Sequence, residues 1–307
     1  MTDVTEMPSD GLEFTGERFT PECVREIWYE HMHRYVLAGE LVSGLTVLDA
    51  ACGEGYGSSY LASRASHVTG VDISQDSISH ARSRYAAENL DFDVADCRDL
   101  PFGDGQFDCV ISFETLEHLV EQEALLHEFR RVLAPGGFLM ISSPDKAVYS
   151  EKLKNENPFH LRELYRGEFE KLLAREFPAV ELLGHKLAFH SMIWRLNGDA
   201  QRPHKTPPAP VSAVFHQDQG KKVARVESPS TQAVYLIALC AADRSFLPTL
   251  TEQAWLFDDA AESVYSHYQH EIRKNMSAGA ILNSLQDEIE KLKQGVRPWW
   301  RRLFKNT

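Results

Sequence analysis

The stretch Val47-Leu48-Asp49-Ala50-Ala51-Cys52-Gly53-Glu54-Gly55-Tyr56-Gly57, followed by a helical segment and then Gly70-Val71-Asp72-Ile73, decides how this chain folds. An apolar run that breaks into closely spaced glycines reads as a strand turning sharply into a helix. Glycine permits that turn and lets the backbone approach a ligand with no Cβ in the way. Asp72 closes the next strand about twenty residues on, where a carboxylate suits ribose hydroxyls. Together these features describe a nucleotide-type site at the carboxyl ends of neighbouring strands in an open α/β sheet.

The spacing narrows the choice of ligand. Gly53, Gly55 and Gly57 run G-x-G-x-G, whereas a dinucleotide fingerprint runs G-x-G-x-x-G, so a nicotinamide-dependent oxidoreductase fails on spacing. Asp49 stands inside the preceding strand. It is an unfavourable neighbour for a pyrophosphate and a favourable one for a ligand carrying an ammonium and a sulfonium.

Outward from the loop the chain alternates strand and helix. Strands read at 46–50, 68–72, 90–94, 107–113 and 137–142, with helices at 56–63, 77–87 and 121–133. Ser74 and Asp76 offer N-cap chemistry to the second helix, and Pro135-Gly136-Gly137 ends the third. Such alternation builds a parallel sheet through right-handed crossovers. Beyond it a helix reads at 161–176 and strands at 179–187 and 231–242. An amino-terminal helix with periodicity through Ile27, His31, Tyr35 and Leu41 precedes the sheet.

With these elements in order, the chain resembles the class I S-adenosylmethionine-dependent methyltransferases. The matching residues are Val47 to Gly55, Gly70-Val71-Asp72-Ile73, Asp96 ahead of Leu100-Pro101-Phe102, Phe107-Asp108-Cys109-Val110-Ile111-Ser112, and Arg131-Val132-Leu133-Ala134-Pro135-Gly136-Gly137. The resemblance covers residues 40–185. It implies an α/β fold with a Rossmann-like seven-stranded sheet of order 3-2-1-4-5-7-6, its last strand antiparallel, and S-adenosyl-L-methionine as cofactor.

Residue by residue, the resemblance assigns Asp49, Gly53 and Gly55 to the methionine part of that cofactor. Asp72 falls to the ribose, Asp96 to the adenine amino group and the Cys97 backbone N–H to the ring. Leu100-Pro101-Phe102 and Ile73 wall the two ring faces. Arg34 or Tyr35 from the amino-terminal helix is offered to the methionine carboxylate; an amphipathic helix that merely packs reads the same way. Phe113 ends the fourth strand, after which residues face donor sulfur and acceptor. His118 is therefore one candidate for the general base, with an imidazole's near-neutral pKa. His160, after Asn157-Pro158, is the second. Either histidine reads equally as a loop-orienting or packing residue. The 13 histidines show no H-x-x-x-H beside strand-end carboxylates, so no metal site is read.

Composition sets outer limits. A net charge of -13 argues against nucleic acid as the main partner, because phosphate contacts need clustered Lys and Arg. Five scattered cysteines without a C-x-x-C pair read as reduced, packed thiols. Residues 1–10 lack the apolar core of a signal peptide, and the longest apolar run, 233–242, is about half a membrane span. A cytoplasmic location is expected, peripheral on the inner membrane face if the tail binds lipid.

The expected organisation is a disordered 1–12, a methyltransferase domain over 13–245 with a lid-like, proline-rich insertion at 190–230, and a helical tail over 246–307. In the tail, Leu282, Leu285, Ile289 and Leu292 follow 3-4-3 spacing, which suits either a short coiled-coil homodimer or self-packing. Its end, Arg297-Pro298-Trp299-Trp300-Arg301-Arg302-Leu303-Phe304-Lys305, suits an anionic headgroup layer, contacted through Trp299 and Trp300.

By general pattern, Gly16-Glu17-Arg18-Phe19, Glu30 to Tyr35 and the His160 loop resemble methyltransferases of bacterial surface-polysaccharide (O-antigen) pathways. A sugar, free or on a nucleotide- or lipid-linked precursor, is thus the expected acceptor, methylated on oxygen. A soluble quinone, polyketide or fatty-acid precursor is the alternative acceptor. A non-catalytic scaffold on the same fold is the third reading.

Overall fold

In the computed structural model, which describes residues 26–188, 215–218, 223–226, 232–252, 254–257 and 263–295, β1 (Thr46–Ala50) lies in the middle of a seven-stranded sheet. Its Val47, Leu48, Asp49 and Ala50 are all fully buried, as expected of a strand covered on both faces. Flanking it are β2 (His67–Asp72), β3 (Leu90–Val94), β4 (Phe107–Phe113), β5 (Leu133–Pro144), β6 (Ala179–His185) and β9 (Tyr235–Ala241). The order is β3-β2-β1-β4-β5-β9-β6. Since β9 is the seventh strand of this sheet along the chain, this is the expected 3-2-1-4-5-7-6. Six strands run in one direction, while β9 inserts antiparallel to both β5 and β6.

Alternate side chains along the strands feed two apolar layers. On one face Leu48, Val71, Val110, Leu139 and Ile141 pack with α4 (Gln122–Val132) and α5 (Arg166–Glu176) through Leu125, Phe129, Leu172 and Phe177. On the other, Val47, Val68, Ile111 and Met140 pack with α1 (Glu26–Leu41), α2 (Tyr56–Ala62) and α3 (Gln75–Arg84) through Leu37, Leu61, Ile78 and Ala81. Ser74 caps α3, its side chain accepting from the Ser77 N–H. Cys52, Cys97, Cys109 and Cys240 are buried free thiols.

Three local departures from the sequence reading have physical causes. The helix expected at 161–176 begins only at Arg166, because the N–H groups of Leu161 and Arg162 donate to the Glu117 carbonyl at 2.8 and 3.0 Å and hold that segment in a loop. Glu168 then accepts from the Tyr165 N–H to start α5. Residues Ala147–Lys152 form a π-helical turn, a type that propensity does not foreshadow. In the proline-rich insertion, β7 (Phe215–Asp218) and β8 (Val223–Val226) pair as a separate antiparallel hairpin. The rest of 190–230, the amino-terminal segment through residue 25, and the Trp299-Trp300 tail end lie outside the described residues.

The chain divides into two compact units, Met1–Trp255 and Leu256–Thr307. The second contains α6 (Ser263–Gly295), on which Tyr268, Ile272, Met276, Leu282, Leu285 and Ile289 are exposed. Among the described residues no helix is long and apolar enough to cross a membrane.

Beneath the glycine loop lies a buried acid. Asp49 has no exposed surface; Tyr35 on α1 donates to its Oδ1 at 3.2 Å and Ser58 on α2 donates to its Oδ2 at 2.6 Å. Burial pushes its carboxyl up to about 7, against the pull of both hydroxyls. The same packing fixes Gly57, where an added Cβ would meet the Tyr35 ring at 2.0–2.4 Å.

Two outcomes are expected. Gly57→Ala should destabilise the chain by about 1–3 kcal/mol in urea unfolding, whereas Gly167→Ala, whose added Cβ meets nothing within 4 Å, should not. For Asp49 the folded-state pKa lies above the unfolded one, so the folded chain holds that proton more tightly. Its contribution to stability therefore falls as pH rises from about 4 to about 7. Asp49→Asn should remove that fall, so wild type should lose a few kcal/mol relative to the variant across this window. Parallel unfolding curves for the two proteins would refute the assignment.

Candidate functional site

At the carboxyl end of β1 the backbone enters the left-handed region at three positions, Ala51 (φ 63°), Gly53 (φ 58°) and Gly55 (φ 91°). That sequence of turns carries the chain from strand to helix in five residues, with Gly55 standing at the N-cap of α2. The two glycines of the motif do different work. A Cβ on Gly55 would strike Phe92 and Ala81 at 2.7–2.8 Å, so its bareness serves packing. A Cβ on Gly53 would meet nothing within 4 Å; its bareness serves the open space above the loop, the place for a ligand that must touch backbone.

Asp72 fastens this loop to β2. Its Oδ2 accepts from the Gly53 N–H at 3.0 Å and its Oδ1 from the Ser74 N–H at 2.8 Å. A carboxylate at this position can also accept from a ribose diol. Directly after it Ile73 projects into solvent, 68% exposed, a large apolar side chain left uncovered at the mouth of the loop.

Across the cleft, Asp96 is engaged by Arg98 through both carboxylate oxygens, at 3.0 Å from Nε and 2.7 Å from Nη2. The Arg98 hydrogen bonds hold the Asp96 carboxyl below the usual range. Sequence reasoning gave Asp96 to an adenine amino group without this partner. Cys97 is buried, and burial pushes its thiol up to about 12. Leu100 is buried, and Phe102 packs edge-on to Phe107 with centroids 5.1 Å apart. Phe113, at the end of β4, packs edge-on to Tyr35 at 5.1 Å. The open Gly53 backbone, the paired loop acid and the exposed Ile73 form a cradle that fits S-adenosyl-L-methionine. Asp49, also given to its methionine part by the sequence, is seated one layer below, against Tyr35 and Ser58.

Beyond β4 the strand ends carry a polar cluster. Glu114 takes a left-handed φ of 53° and accepts from the Ser142 hydroxyl at 2.6 Å. Arg34, 1% exposed, stands 3.9 Å from Glu114 and 3.3 Å from His185 Nδ1, with its guanidinium 5.1 Å from the centre of the Tyr235 ring. Its Nε and Nη2 are buried without a hydrogen-bond partner. Those two unsatisfied donors make this a place for a further hydrogen-bond acceptor such as a carboxylate, beside the Glu114 already paired there. Burial, then the neighbouring Arg34 charge, pushes His185 down to about 3, so it stays neutral beside the guanidinium.

The two histidines singled out from sequence meet in space. The His118 and His160 rings stand edge to face with centroids 5.0 Å apart. Three neighbours join them: Glu117, which the sequence read as either a pocket-lining or a solvated acid, is fully buried; Glu163 is bonded to His160; and the Tyr149 ring lies 5.3 Å from His160. Only Glu117 carried a sequence signal, as an acid directly beside Leu116 and His118 where the fourth strand ends. A separate hollow, lined by His67, Arg82, Tyr85 and Phe92, opens where β2 and β3 begin, at the opposite end of these strands from Asp72.

Residues 48–141 match a family described as "Methyltransferase domain". A Mycolicibacterium smegmatis protein described as "Probable S-adenosylmethionine-dependent methyltransferase" is 36% identical over 170 residues, covering 54% of this chain and 65% of that protein. A "Fatty-acid O-methyltransferase" of the same organism is 40% identical over 101 residues, covering 32% of this chain and 37% of the relative. A solved structure of a Pyrococcus horikoshii protein covers 54% of this chain and 89% of its own at 28% identity, with a TM-score of 0.46. The chain thus spans less than two thirds of these curated relatives. Within it, residues 48–141 are similar to a methyltransferase domain and lie in the seven-stranded, mostly parallel sheet.

Proposed function

We propose that this protein transfers the methyl group of S-adenosyl-L-methionine to an oxygen of a sugar, on a bacterial surface polysaccharide or its nucleotide- or lipid-linked precursor. The observation that carries methyl transfer is the bare Gly53 backbone, tied to Asp72 and open above, inside the matched methyltransferase domain. When bound, the sulfonium supplies an already activated methyl group. The chain's own task is then to hold the acceptor in line and take its proton. Gly53 and Asp72 would hold the methionine and ribose parts, Ile73, Asp96 and Cys97 the adenine, and Phe113 the floor between donor and acceptor. Arg34 would receive a carboxylate on its two unpaired nitrogens. His118 and His160 stand on the acceptor side as the groups that would activate the hydroxyl.

Support for a sugar comes from the flanking Gly16-Glu17-Arg18-Phe19 and Glu30 to Tyr35 patterns and from the basic, Trp-containing tail. That tail would bring the enzyme to lipid-linked substrate at the inner membrane face, and the apolar stripe of α6 would serve a homodimer. One observation favours a second acceptor, a fatty acid or other small carboxylate. The second relative is named for that activity, and the buried Arg34 offers a carboxylate partner.

Transfer of labelled methyl into membrane glycolipid or nucleotide sugar, from the full chain and host fractions, is the expected outcome. Label confined to free fatty acids would replace the sugar with the second acceptor, and no transfer to any fraction would refute methyl transfer. Gly53→Val should lower affinity for S-adenosylhomocysteine by at least about tenfold in calorimetry, since its branched side chain fills the space a ligand needs. Unchanged affinity would dismiss the loop as the cofactor site.

A further inference from the structure

We propose that Glu117, His118 and His160 form a binding site for a divalent transition-metal ion. One ligand-type atom from each of the three lies within 4.8 Å of the others, a spacing that a single ion can bridge. The sequence reading gave no metal site because it looked for local spacing; here the ligands come from loops after β4 and β5.

The carboxylate is the first argument. Glu117 has no exposed surface, and its Oε2 accepts from the Ser143 hydroxyl at 3.0 Å. Its Oε1 is buried with no donor at all. An unsatisfied carboxylate oxygen in a dry interior is costly, and a cation is the partner it lacks.

The imidazoles are the second argument, and it is independent of the first. His118 Nδ1 lies 3.1 Å from the Phe159 carbonyl oxygen, which can only accept, so Nδ1 carries the proton. His160 Nδ1 lies 2.6 Å from Glu163 Oε1, so it donates to that carboxylate. In both rings the lone pair therefore falls on Nε2. Metal-binding histidines are oriented in just this way, with the second nitrogen donating to a carbonyl or a carboxylate. The donor set of two imidazoles and one carboxylate suits Zn²⁺, Co²⁺ or Fe²⁺ better than Mg²⁺ or Ca²⁺. Three protein ligands leave coordination positions open for an exogenous oxygen.

The catalytic consequence rests on the methyl-transfer reading, although ion binding itself does not. An acceptor hydroxyl bound to the ion would release its proton more readily, because the cation stabilises the alkoxide that then attacks the methyl carbon as the carbon–sulfur bond breaks. His118 and His160 would then act as ligands, and solvent or a neighbouring carboxylate would carry the proton away.

The test uses the full chain, stripped of metal with a chelator, titrated calorimetrically with Zn²⁺ and followed by the visible absorption of its Co²⁺ complex. One ion per chain is expected. His118→Ala and His160→Ala should each weaken binding by roughly tenfold or more and abolish the Co²⁺ bands, and Glu163→Gln should weaken it less, through the ring it orients. His127→Ala, an exposed histidine near Glu176, should change nothing. Circular dichroism establishes that each variant is folded; Glu117→Gln supplements the set if it folds. No stoichiometric binding, or binding that survives loss of both His118 and His160, overturns the proposal. Methyl transfer by the stripped protein at its full rate would remove the ion from the reaction while leaving the methyl-transfer reading in place.

Discussion

A carboxyl group with no access to water organises the cofactor half of this protein. Asp49 is the penultimate residue of β1, and the only donors it reaches among the described side chains are a tyrosine on α1 and a serine on α2. Each helix is therefore tied to the sheet at the same atom group, and neither can shift without leaving a buried acceptor short of a donor. Tyr35 extends that constraint. Its ring packs edge-on to Tyr56 and Phe113 and occupies the space that a side chain at Gly57 would need. The sharp turn over residues 51–55 rests on this platform, so its strained left-handed residues are held by packing below and by Asp72 beside them.

The two acids of this region illustrate how environment divides one chemistry into two roles. Asp49 is dry, faces hydroxyls and holds its proton to near neutrality, which suits a structural anchor. Asp72 is partly exposed and accepts from two backbone amides, which suits an acceptor at the loop surface. Sequence spacing alone placed both on the ligand. The distinction arises from depth, which the place of an acid near the end of a strand does not reveal in one dimension.

Much of the fold was legible because its signals are local. Apolar runs ending in glycine or an acid gave β1 and β2, and alternation with helical stretches gave the parallel order. The antiparallel strand beside β5 came from resemblance, since nothing within Tyr235–Ala241 states its direction. What the sequence withheld was pairing at a distance. Arg98 claims Asp96, Glu117 meets His160, and the late start of α5 depends on amides captured by the Glu117 carbonyl. None of these has a periodicity, and the Glu117 contacts join residues whose proximity exists only after the sheet has formed. Asp96 and Arg98 are close in the chain, yet their bidentate pairing competes with a ligand role that the motif alone suggested.

The Glu117 carbonyl and the Gln122 side chain stitch the loop after β4 to the loop that follows the π-helical turn. Glu117 accepts from Leu161 and Arg162, and Gln122 donates to Leu116 and Arg162. The rim that carries His118 and His160 is thus one mechanical piece assembled from two segments of chain. Evolution cannot retune one segment without disturbing the other, so new acceptor preferences in this lineage would arise through paired changes in 114–122 and 157–165. A transplant of specificity between relatives would have to carry both segments together.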